Sequence, residues 1–143
     1  MKSSKYLWLA VAVTVVVAGG WATFANAGKD MKEVTVIGTL IDTKCYGMNH
    51  DNYVADHMTP KGNMPNCAQA CASMGIPVGV LTEGKKGGEV FILITPAASL
   101  AEYMAKTVKV TGMATFEGAV TPSKVWVKND KGGWDEVKIA TMM

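Results

Sequence analysis

From Glu33 onward the chain runs in short β-branched stretches, and two of the longest carry a glycine inside them. These are EVTVIGTLIDTKC at 33–45, with Gly38, and VKVTGMATF at 108–116, with Gly112. A glycine within a strand pattern marks a bulge or a sharp bend. A long first strand that bends at its middle can serve both sides of a small closed sheet. Further strands are expected over 77–82 and 89–95, a hairpin joined by the polar turn EGKKGG. Two more short strands, Lys124 to Lys128 and Trp134 to Ile139, flank the turn NDKGG.

Two helices interrupt the strands. CAQACASM follows Asn66, a natural N-cap, and precedes Gly75, a natural C′ residue. The second helix, roughly Ala97 to Ala105, opens after Pro96 and has Leu100 and Met104 on one face. It falls between the third and fourth strands, which is where a five-stranded OB-type barrel places its helix. The expected fold is therefore mainly β: a small five-stranded OB-like barrel with a Cys-containing loop and helix inserted between strands 1 and 2. Tyr46 to Asn66 has no hydrophobic period and reads as a long loop, a length that is usually functional, pinned or disordered.

The chain opens with Lys2, Lys5, an apolar run from Tyr6 to Ala18, and Ala25-Asn26-Ala27 at a cleavage position. This is the pattern of an export signal over 1–27, with 28–32 as a linker and 33–143 as one domain. The competing reading is an uncleaved anchor, since Tyr6 to Ala25 is long and apolar enough to span a bilayer. Either way the rest is expected outside the cytoplasm, in the periplasm or on the outer face of the inner membrane. Membrane contact is then expected only through the N-terminal segment, if that segment stays uncleaved.

Charge narrows the partners. The sequence has 14 Lys and no Arg against 12 acids, and removing Lys2 and Lys5 leaves Lys and acids equal. A neutral domain without guanidinium groups lacks the footprint of a nucleic-acid binder. No nucleic-acid partner is expected; an unknown protein of the cell envelope is the open possibility. Sequence signatures of hydrolases, P-loops, zinc proteases and dinucleotide enzymes are missing, and so is the C-x-x-C-H of covalent haem.

The distinctive chemistry lies between Cys45 and Cys71, spaced C-x4-H-x6-H-x9-C-x3-C with Met48, Met58 and Met64 inside. Helical spacing puts Cys67 and Cys71 on one face. With Cys45 from the end of the first strand and His57 from the loop they would make a Cys3His set, which suits Zn. Thiolate, thioether and imidazole also suit copper, above all Cu(I). His57 is a better candidate than His50, because the loop after it can fold back toward Cys67. The alternative is a disulfide from Cys45 to Cys67 or Cys71, expected outside the cytoplasm, with one Cys left over and no cofactor. The protein would then be a stapled accessory module of the envelope. A third possibility is a reactive thiol, with Cys67 activated just behind the N-cap. Asp42 reads as a turn residue that can accept a hydrogen bond from a ligand or a strand-end backbone group. Met104 and Met113 are expected as core fillers, and Trp126 and Trp134 as core or barrel-face residues.

The segments TLIDTKCY at 39–46, CAQAC at 67–71, GIPVGVL at 75–81 and KTVKVTG at 106–112 together resemble a group of small exported bacterial proteins. That resemblance covers about Val34 to Thr111. It implies an OB-like barrel and treats Cys45, Cys67 and Cys71 as a set; it implies no activity.

Overall fold

The computed structural model describes residues 32–84 and 86–140. The expected leader over 1–27, and all of the linker but Lys32, lie outside them. Among the described residues no helix is long and apolar enough to cross a membrane.

Strand β1 (Glu33–Asp42) enters a short helix α1 (Thr43–Met48), and a small hairpin follows, β2 (His57–Thr59) with β3 (Gly62–Met64). Helix α2 (Cys67–Ser73) leads to β4 (Val78–Thr82) and β5 (Val90–Leu93). A 3-10 helix (Ala97–Tyr103) precedes β6 (Thr107–Phe116), β7 (Ala119–Lys128) and β8 (Trp134–Val137). The main sheet has six strands in the order β5-β4-β1-β6-β7-β8, one for each strand segment read from the sequence and one more than a five-stranded barrel. Its neighbours in that order are antiparallel, and β5 also meets β7 in parallel at Ile92↔Ala119 and Leu93↔Val120.

Strand β1 divides its pairing at its glycine, without a break in register. Glu33 to Thr39 pairs with β6, while Gly38 to Asp42 pairs with β4, so the strand changes partner across Gly38 and Thr39. A Cβ at Gly38 would overlap the Leu81 carbonyl and lie 3.0 Å from Val80 Cγ1. Burial records the change: the first half of β1 is partly exposed, and every residue from Gly38 to Asp42 is buried. On one side Leu40 joins the main core with Val80, Val108, Val110, Val120 and Val125. On the other, Ile41 packs with Tyr46 and Leu81 beneath α1.

The helix between the third and fourth strands of the main sheet is where the sequence places it, but it is wound as 3-10. Leu100 and Met104 enter the core, as their spacing implies. Met113 does not: it is half-buried opposite Thr121. Strand β7 starts five residues earlier than its expected start at Lys124, running through Pro122. The proline is accommodated where β6 and β7 slip register, opposite Gly112, because a bulge spares it a ladder hydrogen bond. Trp126 and Trp134 lie half-buried and hold Lys109 against their rings, at 4.4 and 5.1 Å.

Candidate metal centre

The site is built on the connection from β1 to β4, whose ends face one another as register partners, Asp42 and Val78. That connection is more ordered than the long loop expected. Asp42 ends the strand and caps α1: its Oδ1 accepts a hydrogen bond from Cys45 N at 2.8 Å. Thr43 fixes the same turn to β4, donating to the Pro77 carbonyl from both its backbone N and its hydroxyl. Cys45 therefore sits in the first turn of a helix, not at a strand end.

Asn52 then ties α1 to the hairpin. Its Nδ2 donates to the Cys45 and Met58 carbonyls at 3.2 and 3.3 Å, and its Oδ1 accepts from Met58 N at 2.9 Å. This buried amide sets the first hairpin strand beside α1 and turns His57 inward. The hairpin closes around Pro60 and Lys61, with Thr59 Oγ1 donating to the Gly62 carbonyl.

Helix α2 is held at both ends. Asn66 takes the N-cap position in a left-handed conformation, φ 52°, and its side chain makes no capping bond. Its backbone N donates instead to Asp56 Oδ1, tying the helix start to the hairpin approach. At the far end Gly75 N bonds the Ala72 carbonyl and Ile76 N bonds the Cys71 carbonyl, the Schellman pattern that Gly75 at φ 87° permits. Ile76 packs on the three cysteines, the apolar contact that accompanies such a cap. Ala68 and Ala72 face the main core, while Cys67 and Cys71 face the site.

The structure thus brings together all four residues singled out in the sequence. Cys45, Cys67, Cys71 and His57 are buried, with exposures of 6%, 6%, 8% and 1%. They lie close enough to hold a metal ion. Ligand atoms of Cys45, His57 and Cys67 fall within 4.8 Å of one another, as do those of Asp42, Cys45 and Cys71. His50 stands apart, exposed and stacked on Tyr46.

No disulfide is formed: all three thiols are free. The Sγ atoms of Cys45 and Cys71, and of Cys67 and Cys71, are 4.0 Å apart, about twice a disulfide bond length. The separation is close to the edge of a tetrahedron of sulfurs around zinc, about 3.8 Å for Zn–S bonds of about 2.3 Å.

Asp42 and His57 carry the clearest mark of a ligand site. His57 Nε2 lies 3.0 Å from the Val54 carbonyl, which can only accept, so Nε2 carries the proton. Nδ1 then faces Asp42 Oδ2 at 3.4 Å, and both atoms are buried without a hydrogen-bond partner. If Nδ1 carries no proton, two lone pairs confront one another out of water, an arrangement that either a proton between them, making an ion pair, or a cation beside them relieves. A metal-bound imidazole typically has one nitrogen on the ion and the other donating to a carbonyl or carboxylate. Asp42 does accept a backbone hydrogen bond, from Cys45 N, as its position suggested; that its other oxygen faces His57, and that Asn52 ties the site together, the sequence did not show. The one legible signal was Asp42 three residues before Cys45, the spacing of an N-cap.

Electrostatics sharpens the picture. Burial first, then the Asp42 carboxylate and the Cys71 thiol, push the Cys45 thiol up from 9.0 to about 12. Burial and then Asp42 also push Cys71 up. These thiols are held protonated at neutral pH, opposite to an activated nucleophile. A thiol whose pKa rises on folding adds stability that is complete below its unfolded value and lost as pH climbs through its folded value. Metal-free protein is therefore expected to lose stability between pH 9 and about 12. Asp42→Asn, which keeps an N-cap oxygen and removes the charge, should shift the upper end of that window to lower pH. Asp42→Ala should in addition cost about 1 kcal/mol for the lost cap. Thermal melts at stepped pH test this; an unchanged window in Asp42→Asn contradicts it.

Comparison with protein families, with curated proteins and with solved structures found no match to this chain.

Proposed function

We propose that this is an exported metal-binding protein that holds one Zn or copper ion through Cys45, Cys67, Cys71 and His57. The ion would serve structure, delivery or electron transfer. The observation that carries the reading is the buried cluster itself: three free thiols with His57 and Asp42, their ligand atoms gathered within 4.8 Å in two overlapping sets. Thiolates confined with a carboxylate repel one another, and a bound cation offsets that repulsion while the thiol protons leave to solvent. The backbone bond from His57 Nε2 to Val54 supplies the outer support that such a ligand needs. Free thiols weigh against the stapled, cofactor-free module.

The reading extends to the scaffold and the address. The partner change along β1 and the parallel contact of β5 with β7 support closure of the sheet as an OB-like barrel. The insertion between its first two strands would then be the binding loop, as OB domains often use it. The leader pattern over 1–27 supports export. An envelope protein that gives or receives the ion is the partner this reading implies.

The test compares native and denatured masses of protein exported and purified without chelator. A native excess of one Zn or Cu, with three reduced thiols after denaturation, is the expected result. No excess, together with a mass two hydrogens light, would retire the metal and establish a disulfide.

A further inference from the structure

Beside the buried thiols lies a cavity of about 430 Å³, with Cys45 in its wall. Met48 and Met58 line it, and both are largely exposed, at 70% and 60%. Met48 stands three residues after Cys45 in α1, so the two share a helix face. Met58 stands next to His57 on β2, held there by the Asn52 amide that also bonds the Cys45 carbonyl. The remaining wall is Asn49, Asn52, Thr59 and Pro60. Apart from Cys45 the lining contains no ionisable side chain.

We infer that this cavity is the port through which Cu(I) reaches the buried site, with the Met48 and Met58 thioethers as its receiving ligands. The inference rests on the proposed metal function and deepens it by naming the ion and its route. Two exposed thioethers flanking a thiol are poor economy for packing, since each leaves most of its apolar surface in water. As ligands they are selective: neutral thioether sulfur suits soft Cu(I), whereas hard cations need the carboxylates that this wall lacks. The transfer is a ligand exchange without redox change. Cu(I) leaves a thioether sulfur and bonds Cys45 Sγ, the thiol proton passes to water, and the methionine is regenerated.

The test uses the full mature chain and the volume-conserving double substitution Met48→Leu with Met58→Leu. Cu(I) is presented anaerobically as a chromophoric chelator complex, and Zn(II) as its dye complex, with uptake followed by stopped flow. The double variant should take up Cu(I) at least tenfold more slowly, reach the same one-ion stoichiometry, and take up Zn(II) at the wild-type rate. Unchanged Cu(I) uptake overturns the port. Equal slowing of both ions also overturns it, because the methionines would then act by shape. Wild-type protein that binds Zn(II) but not Cu(I) overturns the port and leaves the metal function standing. Binding of neither ion overturns both. As a second measurement, Cu(I) added to Cys45→Ser should shift the Met48 and Met58 methyl resonances and leave that of exposed Met74 in place; unmoved Met48 and Met58 signals count against the port.

Discussion

Cys45→Ser is expected to lose stoichiometric metal binding, with affinity falling on the order of 100-fold or more. The size follows from sharing roughly 10–16 kcal/mol of binding among four ligands, at about 1.4 kcal/mol per tenfold. Cys45 is the residue to choose because it belongs to both groupings of ligand atoms, one with His57 and Cys67 and one with Asp42 and Cys71. The same arithmetic gives Cys71→Ser, another of the four ligands, a loss of similar size. Chelator competition with Zn(II) and Cu(I) reads both variants. A second readout is melting temperature: excess ion at about 1,000 times its dissociation constant stabilises the native protein by about 4 kcal/mol. That increment should vanish in Cys45→Ser. Wild-type affinity in Cys45→Ser would refute the site.

Gly38→Ala is expected to be strongly damaging, as is Gly112→Ala, where a Cβ would likewise meet the backbone of the neighbouring strand. At Gly38 the added carbon would overlap the Leu81 carbonyl, part of the backbone of the adjacent strand, where no side chain can swing aside. Inserting a methyl group into a packed core costs about 1–3 kcal/mol, and more where backbone must move. Here β1 is fixed on both edges at that residue, to Thr82 and to Val108. A loss above about 3 kcal/mol is expected, with melts broadened or absent at ordinary temperature. Gly75→Ala makes an instructive contrast, since a Cβ there meets open space and the cost is only that of φ 87°. Denaturant melts of the two variants, run with and without metal, separate the effects. Near-equal stability of Gly38→Ala and wild type would show that β1 has room for a side chain where it changes partner.

Much of the scaffold was legible because its signals are local. β-branched runs, the polar turn at 83–88, Pro96 ahead of a helix, and Gly75 after CAQACASM all speak through neighbouring residues. The cysteines and His57 were legible as a set because one short stretch holds them. What stayed hidden depends on distant contacts. Helix α1 contains Gly47 and has no periodicity; it exists because Asp42 caps it and Thr43 bonds Pro77 across the sheet. The β2–β3 hairpin has three-residue strands with mostly exposed side chains, so no alternation announces it. Strand β7 begins before Pro122, which finds its place at the slip beside Gly112, a contact with β6 that no local pattern announces. Asp42 and His57 meet only once the hairpin folds back over α1.

Helix α2 belongs to two environments, with Ala68 and Ala72 in the main core and Cys67 and Cys71 at the site. Its backbone amides should therefore exchange with solvent in one cooperative step with the strands, not as a fraying loop. Occupancy of the thiols would then slow exchange in β1 and β4 as well as in the helix. Exchange in the strands would then report what the insertion holds.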